Sequence, residues 1–171
     1  MNIFYLSHKT SRCARWHCDK HVVKMILETT QLLYTAHWVL SNNDPDLSSA
    51  PYRKNVHERG YRPIKNRNHP CAIWARASLE HYAWLCQLGL ALCEEYRFRF
   101  GSSKRHSCEE HIEWLYEFWP PSLEAKGWKQ PPKAMPIEYK QGDSIVAYRE
   151  YYRKGKKDIL AFTKRHAPHW L

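Results

Sequence analysis

From Ser11 to Leu40 the chain runs for 30 residues without a glycine or a proline, and it then meets the turn cluster SNNDPD. Such a stretch predicts one long helix with a defined stop. Within it, HCDKHVVKMILETTQ (residues 17–31) is the most constraining segment. At about 100° per residue, His17, His21, Lys24, Glu28 and Gln31 fall within roughly 80° of one another on one face. Val22, Val23, Met25, Ile26, Leu27, Leu32 and Leu33 cover most other directions. A helix that is apolar nearly all round is a buried one. The sequence therefore predicts a narrow polar seam running through a core.

Buried charge is costly unless it is paired or used. Two imidazoles, an ammonium and a carboxylate spaced along one seam shift each other's proton affinities. Such clusters are where general acids and bases are found. The plainer alternative is a solvent-facing seam with Lys24 and Glu28 as an i,i+4 pair, although Lys before Glu is the weaker orientation. The spacing of His17 and His21 also places two imidazoles on one face, as a metal would need. Cys18, however, stands where an HEXXH site has its glutamate, and nothing selects a third ligand among Asp19, His57 and His69. The expectation is no metal and no cofactor.

The remaining elements follow from punctuation. NIFYL (residues 2–6) reads as a strand or an extended lead-in. Residues 41–69 form a long polar connection ending in KNRNHP, and connections of that length inside a small domain are usually functional or mobile. Pro70 suits the first position of a second long helix, capped near Asn68 or His69 and ending at Gly101, with Gly89 marking a close helix crossing. Ser107 and Glu110 read as a capping box for a helix that Pro120 ends. A Pro-rich loop reaches about Gly142, and Asp143 or Ser144 starts a helix interrupted at Gly155. A last short helix spans Lys156 to Arg165. The fold class expected is all-α: a single compact domain, residues 1–171, of three to five helices with two long loops.

The chain carries a formal charge of +10 with 43% hydrophobic and 14% aromatic residues, and a pI near 9.4. That excludes a disordered polycation and points to a polyanionic partner, most often nucleic acid. A basic surface that only aids solubility is the alternative. Lys65, Arg67 and His69 sit just before a helix N-terminus, where backbone N–H groups favour phosphate. In AYREYYRKGKK, Tyr148, Tyr151 and Tyr152 interleave with Arg149, Arg153 and Lys154, a pattern that suits stacking on bases while neutralising phosphates. Trp128 is a further stacking candidate. The competing reading packs Tyr148 and Tyr152 on the core. The six cysteines include no CxxC pair and read as reduced and buried. No apolar run is long enough for a membrane span and no signal peptide is evident, so an intracellular monomer, cytoplasmic or nuclear, with a virus-encoded origin as one reading, is expected.

On these residues the chain resembles the phage-type pyrimidine-dimer DNA glycosylases with AP-lyase activity, the endonuclease V type. DKHVVKMILE aligns His21 and Glu28 with that family's histidine and catalytic glutamate. NHPCAIWARASLEHYAWLCQLGLALCEEYRFRFG is similar to its second long helix, and YREYYRKGKK to its aromatic, basic C-terminal segment that lies against DNA. The resemblance implies a small all-α enzyme whose nucleophile is the α-amine of residue 2, exposed when Met1 is removed. The chain departs from the family in two ways. Asn2 is a poor second residue for that removal, and Leu27 and uncharged residues stand where the family has arginines beside its glutamate.

The resulting expectation is a DNA glycosylase, with or without lyase activity, acting on damaged or modified bases in double-stranded DNA. Glu28 would be the acid or carboxylate, with His17 and His21 orienting groups or shuttling protons. The α-amine of Met1, or else Lys24, would be the nucleophile. A non-catalytic nucleic-acid-binding protein, and a metal-dependent nuclease using His17 and His21, are the alternatives.

Overall fold

A computed structural model describes residues 2–171. Among them are six α-helices: α1 (Thr10–Trp16), α2 (Asp19–Leu40), α3 (Pro70–Ala75), α4 (Leu79–Phe100), α5 (Glu109–Glu117) and α6 (Ser144–Glu150). The described residues contain no strand, only a single bridge between Tyr52 and Arg59. The protein is all-α, and no described helix is long and apolar enough to cross a membrane.

α4 is the central element, packed against α1, α2 and α5. Ile26, Leu32, Leu33, Leu85 and Leu92 are completely buried at these contacts, each contributing about 1.5–3 kcal/mol by leaving water. Gly89 is where three helices meet. A Cβ there would lie 2.9 Å from Ile112 Cδ1 on α5 and 3.0 Å from Thr29 Cγ2 on α2. The lead-in is extended and unpaired, with Ile3, Phe4, Tyr5 and Leu6 all buried under the helices.

Both long predicted helices are broken, and tertiary contacts explain why. The first is interrupted at His17 and Cys18, both extended. The break frees backbone carbonyls, which must find partners when buried. The buried Arg99 guanidinium supplies them, donating to the carbonyls of Arg15 and His17 (2.9 Å each). Asp19 and Glu95 balance its charge at 2.9 and 2.8 Å. The second helix breaks after Ala75, where Ser78 is extended and Leu79 N donates to the Glu124 carbonyl at 2.9 Å.

At the other termini, His69 and Asp143 cap α3 and α6 with their side chains. The expected Ser107 box does not form. α5 starts at Glu109 after Cys108, whose N–H is taken by His106 Nδ1 at 3.1 Å. Beyond α6 the chain widens into a π-helical turn (Tyr151–Gly155), and the last helix is only a 3₁₀ turn at Lys157–Ile159. The long loops are pinned rather than free. Ile64 N donates to Thr35 Oγ1 (3.0 Å) and Trp38 Nε1 to the Tyr61 carbonyl (2.9 Å). In the second loop, Trp74 Nε1 donates to the Lys129 carbonyl and Lys129 N to His81 Nε2, both at 2.8 Å. All six cysteines are free and buried.

Candidate active site

Lys20, Val23, Lys24 and Leu27 form the solvent-exposed stripe of α2. The helix is therefore not buried all round, as its composition suggested. The polar seam lies along the edge of this stripe, where α2 meets the lead-in. There Asn2, Phe4, His21, Lys24, Met25, Glu28 and Lys156 line a cleft of about 160 Å³.

Glu28 is 8% exposed. Its Oε2 accepts from the Asn2 backbone nitrogen at 2.8 Å, and its Oε1 lies 3.4 Å from the Lys24 ammonium. Asn2 is clamped in turn. Its Nδ2 donates to the Ala134 carbonyl at 2.9 Å, and its Oδ1 accepts from Tyr148 Oη at 2.8 Å. Asn2 is thus held at three points, with its backbone nitrogen on the carboxylate.

His21 is 6% exposed and stacks on Phe4, with ring centroids 4.2 Å apart. Burial pulls its pKa down to about 3, and the positive charges of Lys156 and Lys24 act in the same direction. The ring is neutral near pH 7. Its Nδ1 lies 2.5 Å from the hydroxyl of Tyr152, which is wholly buried and whose own pKa is raised by desolvation. Where the phenol donates to the neutral ring, the imidazole proton sits on Nε2, the edge turned away from Tyr152. The partner of a histidine's inner nitrogen in this way sets what its outer nitrogen can do.

His17 does not join this group. It precedes α2 instead of lying on it, and it is not among the residues lining the cleft. Its Nδ1 donates to the Cys13 carbonyl at 2.7 Å, its Nε2 is buried without a partner, and Phe4 stands edge-on to it. Burial lowers its pKa to about 4. Lys24 reaches the cleft only from its rim, with its side chain 67% exposed. Met1 lies outside the described residues. No group of three or more His, Cys, Asp or Glu side chains among the described residues is placed to hold a metal ion.

His69 is half-buried at the start of α3. Burial lowers its pKa while the negative charge of Glu28 acts the other way. Lys65 is exposed and has no ion-pair partner among the described residues, whereas Arg67 is held by the Asn43 side chain. The stacking role expected of Tyr148 and Tyr152 is not available, because both rings are completely buried. They bind Asn2 and His21 instead. Trp128 packs among Tyr5, His8, Trp74, His81 and Trp84. Arg149 is held over Trp16 and Trp170 and donates to the Leu6 carbonyl. Tyr151 is half-exposed, with Lys156 Nζ 4.8 Å above its ring. Arg153 and Lys154 are exposed but both pair with Glu150. A larger groove of about 580 Å³ opens near the far end of α2, yet Asp44, Asp46 and Glu117 line it, the wrong sign for a nucleic acid.

Sequence reasoning missed Phe4, whose apolar, extended context gave no sign that it would meet His21, and it reached Asn2 only through the α-amine that the family resemblance implies. Lys156 was visible only as one of several basic tail residues.

No curated protein and no solved structure matches the chain significantly. A family model described as pyrimidine dimer DNA glycosylase matches residues 1–118. The matched region holds α1 to α5, and with them His21, Glu28 and His69; it leaves out the tail that supplies Tyr148, Tyr152 and Lys156. With most of the chain and the cleft's carboxylate inside the match, the chain belongs to the pyrimidine dimer DNA glycosylase family, whose members act on DNA in its repair.

Proposed function

We propose that the protein removes a damaged or modified pyrimidine from double-stranded DNA at the Glu28 cleft, and that it then cleaves the strand as an AP lyase. The observation that carries this reading is a shielded carboxylate held 2.8 Å from the residue-2 nitrogen. In the proposed reaction an amine attacks C1′ as the glycosidic bond breaks, and the base leaves with the bonding pair and a proton. Glu28 offsets the developing positive charge on the sugar and takes the proton released by the amine. Opening of the sugar ring, in which the C1′–O4′ bond breaks and O4′ takes a proton, leaves a protonated C1′ imine; loss of a C2′ proton then permits β-elimination of the 3′ phosphate.

Three amines are candidates. The Asn2 nitrogen is adjacent to Glu28 but becomes an amine only when Met1 is removed. The α-amine of Met1 serves if it is retained. Lys24 is 3.4 Å from Glu28 but open to solvent. His21 Nε2–H is a donor for the departing base or the sugar oxygen. Lys65, Lys156, Arg153 and Lys154 supply cationic contacts for phosphates. In this reading the whole chain acts as one domain and as a monomer.

The test is borohydride trapping on a duplex carrying one thymine dimer, with peptide mapping of the adduct. Glu28→Gln is expected to lower single-turnover base release by about 10²–10⁴-fold while leaving duplex affinity within about threefold. Wild-type release and trapping by Glu28→Gln would refute the role of the carboxylate. Release without any adduct would refute the lyase step.

A further inference from the structure

Ile137 is 77% exposed, the most exposed of the large hydrophobic residues among those described. A single apolar side chain in water needs no explanation in general. This one is set apart by the loop that carries it. On one side the Ala134 carbonyl is held by the Asn2 side chain, and Met135 is buried. On the other, the Tyr139 ring packs on Tyr151 with centroids 5.0 Å apart and lies against Gly155. Lys133 closes the loop across its base, its Nζ donating to the carbonyls of Lys140 (3.2 Å) and Gly142 (2.8 Å). Pro131, Pro132 and Pro136 stiffen the backbone. Asn2 lines the Glu28 cleft, and Tyr151 lies under Lys156, which lines it too. The loop is thus a rim fastened at both ends to the walls of the cleft, and between the two ends it exposes Ile137.

A base cannot be processed while it is stacked in a duplex. Proteins that open a duplex commonly insert an apolar wedge between base steps, which offsets lost stacking and kinks the helix. A β-branched side chain on a pinned loop suits that task, because little of its freedom remains to be lost on insertion. We propose that Ile137 is such a wedge, entering the base stack of duplex DNA beside the nucleotide that occupies the Glu28 cleft. This inference rests on the cleft being the base-processing site.

The test compares wild type, Ile137→Ser and Ile137→Leu. Each is mixed with two duplexes carrying one thymine dimer, one fully paired and one with the opposing bases bulged out so that stacking is already lost. Ile137→Ser is expected to slow single-turnover release about 10- to 100-fold on the paired duplex, and less than about threefold on the bulged one. Ile137→Leu stays near wild type on both. Equal rates for serine and wild type on the paired duplex, or equal losses on both duplexes, overturn the wedge. A second arm needs no catalysis: 2-aminopurine placed next to the dimer. Binding of wild type and Ile137→Leu raises its fluorescence by unstacking it, and Ile137→Ser does not. If wild type releases no base from either duplex, the functional reading fails while this fluorescence arm still decides the wedge. A serine variant that unstacks the probe as fully as wild type refutes it.

Discussion

Arg99→Met tests whether one buried guanidinium holds the α1–α2 break that places His21 and Glu28 on the cleft. The Arg99 side chain has no solvent exposure and makes four hydrogen bonds, to Glu95, Asp19 and the carbonyls of Arg15 and His17. Methionine keeps much of the volume and none of the donors. Glu95 retains Arg165, and Asp19 retains the backbone and hydroxyl of Thr163, so neither carboxylate is abandoned. The two carbonyls are. A buried acceptor left unpaired costs about 1–3 kcal/mol, and breaking a buried ion pair costs about 3–5 kcal/mol. Since the two figures overlap in what they count, the expected loss is about 3–5 kcal/mol. For a chain of this length that lowers Tm by roughly 6–20 °C. Urea and thermal melts at pH 7 followed by circular dichroism measure it. Should Arg99→Met prove too unstable to purify, Asp19→Asn keeps the guanidinium and removes one outer partner, for a loss of about 1 kcal/mol. A loss below about 1 kcal/mol for Arg99→Met, or an undisturbed His21 environment by NMR, would refute the claim that Arg99 sustains the break.

Acid is expected to unfold the protein through its buried histidines. Burial lowers the pKa of His17, His37 and His111 to about 4 and of His21 to about 3. Each folded value lies below the unfolded value, so the stability they contribute is complete above about pH 6.5. It is lost as pH falls toward 4, at about 1 kcal/mol per group per pH unit; urea midpoints at pH 7.5 and 5.0 that coincide would contradict this. Tyr152→Phe removes the donor to His21 Nδ1, so ¹⁵N shifts should report a mixture of His21 tautomers where wild type shows one, with base release down about tenfold. An unchanged single tautomer would reject the assignment of the phenol as donor. Gly89→Val inserts atoms against Ile112 and Thr29 and should cost about 1–3 kcal/mol in a urea melt, whereas a neutral result would show that α2, α4 and α5 are loosely packed.

The sequence by itself determined the main helical segments though not their breaks, that Pro70 starts one helix and Asp143 caps another, that Gly89 lies at a close crossing, and that the cysteines are buried. These are local properties, set by periodicity, capping chemistry and hydrophobicity within a few residues. It also singled out Glu28 and His21, because a carboxylate and an imidazole at helical spacing beside an apolar face are uncommon. Tertiary structure decided the rest. A Gly- and Pro-free run gave no reason to break at His17, since Arg99, the residue that compensates the break, lies 82 positions later. Tyr148 and Tyr152 read as stacking residues ahead of core, and only their burial and their partners Asn2 and His21, 146 and 131 positions away, made them part of the cleft's support. Contacts between distant parts of a chain leave no periodic trace in it. The residues that hold this site together could therefore be recognised only once the helices were packed.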